Sequence, residues 1–213
     1  MIYICCHCRR LGTPSKMNTR FCSRCYIELE ECEWSGGQQY LTYGNEAAAV
    51  WSRFRYQDLV RRLILNSKVK EEWGAISGLI DSMLSWKELP ACLEGVESIV
   101  PAPSSLWSRW QGRYDLAYEL AWVLAKESGA MLKRMPTRSY LRIKKRSKIP
   151  SELRRKRDMI ISFDRPERLR QIEVPAKTLL VDDVITTGST IESMIRQGRL
   201  EYPKVITLAS AFH

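Results

Sequence analysis

The segment from residue 177 to residue 197 constrains the fold more than any other part of the sequence. An apolar run that we expect to form a buried strand, Lys177 to Val181, leads directly into two aspartates, Asp182 and Asp183. Small residues follow, and then a periodic stretch, Ser189 to Gln197, that predicts a helix. A buried strand that passes at once into a helix is typical of an α/β domain.

The rest of the chain beyond residue 36 alternates between strand-like and helical patterns. Apolar spacing predicts helices over Glu46 to Lys70, Glu72 to Leu89 (ended by Pro90) and Asp115 to Ser128. Strand-like segments occupy Tyr40 to Tyr43, Ser98 to Val100, Met159 to Phe163 and Lys204 to Ala209. This alternation predicts an α/β fold in which a parallel sheet is flanked by helices on both faces. Ligands bind such sheets beyond the carboxyl ends of the strands.

The residues after the predicted strand suit a sugar phosphate. Two adjacent carboxylates repel each other and call for hydroxyl donors, such as those of ribose, or for a divalent cation. The turn that follows offers free backbone N–H groups, hydroxyl donors and the positive end of a helix dipole to an anion. Its residues are Thr186, Thr187, Gly188, Ser189 and Thr190. The alternative is a surface turn whose Ser and Thr side chains only cap the helix.

A known motif is similar to this segment. Residues 181 to 190 read Val-Asp-Asp-Val-Ile-Thr-Thr-Gly-Ser-Thr, which resembles the ribose-phosphate motif of the type I phosphoribosyltransferases. The resemblance implies that Asp182 and Asp183 face the ribose hydroxyls of 5-phosphoribosyl 1-pyrophosphate and that Thr186 to Thr190 surround its 5′-phosphate. It also implies a magnesium ion bound with the pyrophosphate.

The first 32 residues hold six of the seven cysteines. Four of them form two Cys-x-x-Cys pairs, which predict a closed tetrahedral site for structural zinc, at Cys5, Cys8, Cys22 and Cys25. Cys6 or Cys32 could replace one ligand, and disulfides are the alternative if the compartment is oxidising. We therefore predict a zinc-binding head over residues 1–35 and an α/β domain over residues 36–213.

A four-cysteine head before such a domain, together with a strand end at Val100 to Pro103, resembles the ComF family of competence-associated proteins. That resemblance implies a cytoplasmic protein that binds phosphoribosyl pyrophosphate and acts in DNA uptake, together with other uptake proteins. Two alternatives stay open: an active phosphoribosyltransferase of nucleotide salvage, and a regulator that senses the sugar phosphate. A third acid that hypoxanthine-guanine phosphoribosyltransferases use is replaced here by Thr186, which argues against that particular chemistry.

The net charge of +10 is concentrated in one segment, Arg142 to Arg157, where nine Lys or Arg residues face the single acid Glu152. This segment predicts an anionic partner, such as single-stranded DNA, or else a solvated loop without a ligand. Arg113 is a candidate for binding the pyrophosphate through its planar guanidinium. No apolar stretch approaches the roughly 18 residues that span a bilayer, so we expect no membrane span.

Overall fold

A computed structural model describes residues 3–16, 18, 20–43, 46–70, 73–104, 115–134, 177–201 and 203–212. Within these ranges the elements are, in chain order, α1 (Ser23–Glu31), β1 (Gln39–Tyr43), β2 (Glu46–Arg55), α2 (Asp58–Lys70), α3 (Trp73–Leu84), α4 (Leu89–Leu93), β3 (Ser98–Pro101), α5 (Leu116–Ser128), β4 (Met131–Leu132), β5 (Thr178–Ile185), α6 (Ser189–Gly198) and β6 (Lys204–Ser210). The predicted strand Met159 to Phe163 and the basic segment Arg142 to Arg157 lie outside the described residues.

The strands form a six-stranded sheet in the order β1-β2-β6-β5-β3-β4. β1 pairs with β2 in the antiparallel sense, and the other neighbouring pairs are parallel. The prediction of an α/β fold is confirmed, but the sheet is mixed rather than wholly parallel. β6, the last described strand along the chain, lies between β2 and β5.

Both faces of the sheet are covered by helices. Leu179 of β5 packs into a cluster with residues of α2, α3 and α5, such as Leu63 and Leu79. Its neighbour Leu180 packs on the other face, in a cluster that includes Ile191 of α6. Successive strand residues point to opposite faces, so a strand covered on both sides needs an uninterrupted apolar run. This is why the sequence before Asp182 contains no polar alternation.

The prediction of one helix over Glu46 to Lys70 is wrong in its first half. Residues 46–55 form β2, and α2 begins only at Asp58. The alanines of this segment favour a helix locally. However, β2 gains hydrogen bonds from β1 on one side and β6 on the other, and buries Ala48 and Val50 completely. Pairing with strands distant in sequence therefore outweighs local propensity.

The helix predicted over Glu72 to Leu89 also differs, because α3 ends at Leu84. Pro90 lies in the first turn of the short helix α4 instead of ending α3. Proline is favoured there because its missing N–H would have no intrahelical partner. By contrast, the helix predicted over Asp115 to Ser128 is confirmed as α5: Asp115 accepts a hydrogen bond from the Tyr118 amide, and Gly129 ends the helix in the left-handed conformation.

No helix within the described ranges is both long and apolar enough to cross a membrane.

Candidate functional site

The two aspartates lie inside the carboxyl-terminal half of β5, which extends to Ile185 rather than ending at Val181 as predicted. The extension arises because β6 continues to pair with β5 as far as Ser210. Both aspartates are half-buried. The Asp183 amide donates a 2.8 Å hydrogen bond to Oδ1 of Asp182, so the backbone itself holds that carboxylate.

A row of polar side chains crosses the sheet beside Asp182. Asp182 pairs in register with Thr207 of β6, and Thr207 pairs with Ser52 of β2. The hydroxyls of Ser52 and Thr207 lie 2.8 Å apart, and both residues are buried. Thr207 also donates to the carbonyl oxygen of Ala209. The sequence alone does not predict this row, because its members come from three separate segments and only their shared register brings them together.

The turn after β5 passes through a left-handed glycine into α6. Gly188 is the N-cap of α6 and adopts a left-handed conformation, with φ of 73°. Within the described part of the chain, no side chain caps this end of α6. The first amides of a helix have no intrahelical acceptor, so those of Ser189 and Thr190 are available to a ligand. Thr186 and Thr187 are exposed beside them.

Charge at this end of α6 is balanced locally. Glu192 stands in the first turn, where it would disfavour an anion, but it forms a 2.7 Å ion pair with Arg196 one turn later. The dipole of α6 therefore still presents a positive end to the loop.

Leu41 of β1 covers the glycine of this loop. A Cβ atom on Gly188 would lie 2.4 Å from Leu41 Cδ1, which no ordinary packing allows. The left-handed backbone favours glycine at position 188, and any larger residue would also have to displace the Leu41 side chain. Local sequence patterns do not predict this contact, because the two residues are far apart in the chain.

The loop after β3 lies beside the same end of β5. The Ala102 amide donates a 2.6 Å hydrogen bond to the Val181 carbonyl oxygen. The Ser104 hydroxyl that follows is shielded from solvent and has no hydrogen-bond partner among the described residues. The carboxyl ends of β3 and β5 thus meet at one edge of the sheet. Arg113, predicted to bind pyrophosphate, lies outside the described residues.

The four predicted zinc ligands come together at the amino-terminal end of the chain. The sulfur atoms of Cys5, Cys8, Cys22 and Cys25 all lie within 4.8 Å of one another. The sulfurs of Cys8 and Cys22 are 3.9 Å apart, close to the roughly 3.8 Å expected between thiolates that share a tetrahedral zinc ion. All four are free thiols. The arrangement is compatible with a structural metal site.

The electrostatics of the cluster favour a bound cation. Burial raises the pKa of the Cys5 thiol, but backbone N–H groups, led by that of Cys22, outweigh it and lower this pKa to about 7. Burial, followed by the thiols of Cys22 and Cys5, raises the pKa of Cys25. Four thiols in one place cannot all ionise without a positive charge between them, and a metal ion supplies that charge.

Cys6 and Cys32, the two cysteines that could have replaced a predicted zinc ligand, lie outside the cluster. Cys6 packs against Gly74 of α3, where a Cβ atom would lie 2.8 Å from the Cys6 Cβ. Burial raises the pKa of Cys6 to about 12. Cys32 is buried beyond the end of α1, with its sulfur 4.0 Å from the Gln57 carbonyl oxygen. Cys5, Cys8, Cys22 and Cys25 therefore remain the cluster.

The cysteine head, residues 3–33, packs against α3 through a buried polar and aromatic contact. Asn18 donates to the Gly78 carbonyl oxygen at 2.8 Å and to the Ser82 hydroxyl at 2.9 Å. Phe21 is fully buried against Gly78, where a Cβ atom would lie 2.5 Å from its ring. Arg20 adds an exposed ion pair with Asp81 at 3.6 Å. Small residues on one face of α3 thus make room for the head.

No protein-family model matches this chain, and no curated protein is significantly similar to it. Functional inference therefore rests on the chemistry of the β5–α6 loop and of the cysteine cluster.

Proposed function

We propose that the chain binds a ribose 5-phosphate ligand, with 5-phosphoribosyl 1-pyrophosphate as the preferred one, at the carboxyl end of β5. The observation that carries this proposal is the left-handed Gly188 turn, which joins the strand bearing Asp182 and Asp183 to the uncapped amino end of α6. Parallel strands present their ligands at this edge, and helix amino ends bind phosphate.

In this proposal each part of the loop has one task. The amides of Ser189 and Thr190 and the hydroxyls of Thr186 and Thr187 hold the 5′-phosphate. The carboxylate of Asp182, fixed by the Asp183 amide, accepts hydrogen bonds from ribose hydroxyls. Asp183 offers oxygen ligands of the kind that magnesium prefers, and the ion would neutralise the charge of the pyrophosphate when bound.

Calorimetry tests the site. The protein is titrated with ribose 5-phosphate and with phosphoribosyl pyrophosphate, each with magnesium present. We expect Asp182→Asn with Asp183→Asn to lose about tenfold or more in affinity for both ligands. Glu127→Gln, an exposed acid at the far end of α5, is the matched control and should bind normally. Normal binding by the double variant would contradict the proposed site.

We further propose that Cys5, Cys8, Cys22 and Cys25 bind a structural zinc ion. Four sulfur ligands leave no open position, so the metal stabilises the head and takes no part in chemistry. Protein purified without chelators should contain one equivalent of zinc by elemental analysis. Metal-free protein that melts at the same temperature as untreated protein would contradict this assignment.

The ComF resemblance adds two further proposals, phosphoribosyltransferase activity and a role in DNA uptake. An active phosphoribosyltransferase would release pyrophosphate when a suitable base is added, which a coupled assay with mixed nucleobases detects.

For a cytoplasmic role in DNA uptake, the support is the basic segment with Arg154, Arg155, Lys156 and Arg157. Neutralising these four residues should weaken binding of single-stranded DNA and flatten its salt dependence. A regulator would instead change its DNA binding when the sugar phosphate is added.

A further inference from the structure

Two aliphatic side chains stand exposed on the first cysteine turn. Ile4 and Leu11 face each other in an isolated antiparallel bridge. The Cys5 amide donates to the Arg10 carbonyl oxygen, and the Gly12 amide donates to the Tyr3 carbonyl oxygen. Ile4 and Leu11 lie between these two hydrogen bonds and form a cross-strand pair of the non-hydrogen-bonded type. Side chains of such a pair lie close together on one face.

Both side chains of this pair are largely exposed to solvent. Ile4 is 56% exposed and Leu11 is 70% exposed. A single exposed aliphatic residue needs no explanation, but two in direct cross-strand contact form a continuous apolar surface that gains free energy when covered. We call Ile4, Leu11 and the adjoining Arg10 the knuckle patch.

The surroundings of the knuckle patch are positively charged. Residues 3–16, which include the turn itself, contain Arg9, Arg10 and Lys16 and no Asp or Glu. Four acids follow over residues 28–33, and two of them form ion pairs with the main sheet domain, Glu28 with Arg62 of α2 and Glu33 with Arg53 of β2. The turn itself therefore carries a net positive charge.

We infer that the knuckle patch is a docking surface for an acidic segment of another protein that carries aliphatic side chains. Carboxylates of the partner would meet the basic turn around Arg10, and its aliphatic side chains would cover Ile4 and Leu11. Because the cysteine cluster and the contact with α3 fix the turn, little ordering is needed on binding. The inference does not depend on the sugar-phosphate site.

A protein segment fits the knuckle patch better than a nucleic acid. Single-stranded nucleic acids bind through aromatic platforms combined with cations. Within the described residues of the predicted head, however, Phe21 and Tyr26 are buried, and Tyr3 and Trp34 are half-buried. The exposed apolar groups are branched aliphatics, which gain nothing from a phosphate backbone.

A random-peptide library displayed on phage tests the inference, with the full-length protein as bait. Peptides recovered on the wild type should combine Asp or Glu with Leu, Ile or Val. The synthetic consensus peptide should bind about tenfold more weakly to Ile4→Ser with Leu11→Ser, and more weakly to Arg10→Glu. Ile27→Ser is the matched control: Ile27 is 57% exposed on α1, outside the patch, and its loss should leave binding unchanged.

Three results would overturn the inference. The first is a library without an acidic and aliphatic consensus, and the second is unchanged peptide binding by both patch variants. The third is that the patch variants lose oligothymidine binding or self-association, measured by anisotropy and light scattering, while the peptide still binds. Melting temperature and zinc content show whether the double variant is folded. If the double variant is unfolded, peptide binding by Arg10→Glu alone tests the inference.

Discussion

Two glycines of this protein lie beneath large side chains from distant segments, and they differ in what they provide. Gly78 in the middle of α3 leaves room for Phe21 of the cysteine head, and its own backbone is ordinary helix. Gly188 leaves room for Leu41, and it also adopts a left-handed conformation that other residues avoid. The first glycine allows two parts of the protein to pack, whereas the second shapes a loop whose amides face outward. Stability should therefore respond most at the head, and ligand binding most at the loop.

The largest effect is expected at the cysteine cluster itself. Cys25→Ser removes a buried member of the cluster, and a structural zinc ion of the kind that we propose contributes on the order of 10 kcal/mol or more to folding of such modules. We expect loss of zinc and rapid proteolysis within the head, measured by elemental analysis and limited digestion. Cys92→Ser, which changes a buried cysteine outside the cluster, should keep its zinc. Retained zinc in Cys25→Ser would show that the cluster uses other ligands.

Gly78→Ala tests the contact between the cysteine head and α3. Alanine is the better helix former by about 1 kcal/mol, but its Cβ would lie 2.5 Å from the Phe21 ring. Overpacking of this kind costs about 1 to 3 kcal/mol, so we expect a net loss of stability in urea denaturation. Gly12→Ala is the control, since nothing lies within 4 Å of its Cβ position. A more stable Gly78→Ala protein would mean that the head shifts away from α3 at little cost.

Gly188→Ala should act on binding more than on stability. Gly129 has nearly the same φ, 72°, but open space around its Cβ position. Gly129→Ala therefore reports the left-handed strain alone, about 1 to 2 kcal/mol. The additional loss in Gly188→Ala measures the clash with Leu41. Only Gly188→Ala should weaken ribose 5-phosphate binding in calorimetry. If both variants bound ribose 5-phosphate with equal affinity, the loop would not be part of the binding site.

Leu41→Ala tests the same contact from its other side. Removing the leucine should leave Gly188 uncovered and speed hydrogen exchange of the Glu192 amide, which donates to the Gly188 carbonyl oxygen. Because Leu41 is only half-buried, the loss of stability should be smaller than the roughly 2 kcal/mol or more of a fully buried leucine. Tyr40→Ala, an exposed neighbour on the same strand, should change neither. Unchanged loop exchange in Leu41→Ala would show that the loop holds its shape without β1.

The smallest effect is expected when both hydroxyls of the polar row beside Asp182 are removed together. Thr207→Val leaves the Ser52 hydroxyl buried without its partner, which costs about 1 to 3 kcal/mol. Ser52→Ala together with Thr207→Val removes both hydroxyls and should be closer to the wild type in thermal melting. A double variant less stable than Thr207→Val would show that the row has partners beyond this pair.

The sequence predicts the features that depend on neighbouring residues. The spacing of Cys5, Cys8, Cys22 and Cys25 predicted a cluster that the structure contains, and apolar spacing predicted the helix over Asp115 to Ser128 that the structure contains as α5. Local spacing carries this information because neighbouring turns of chain hold each cysteine pair and each helix face. The ribose-phosphate site stays a prediction, and the sequence gives it only as one segment, from residue 182 to residue 190.

What could not be predicted depends on strands that meet from distant parts of the chain. β2 was predicted as a helix because the pairing of Val50 with Val205 has no signature near residue 50. The extension of β5 past Val181 depends in the same way on β6, and the cover over Gly188 depends on Leu41. Sheet order sets these contacts, and a single sequence does not contain it.

The central position of β6 has a consequence for how the protein is made. Because β6 separates β2 from β5, the ribosome must deliver residues 204 to 210 before the two halves of the sheet can join. Until then β2 and β5 each present an unpaired edge, and such edges recruit wrong partners. A nascent chain stalled before residue 204 should therefore be the form that aggregates or engages chaperones.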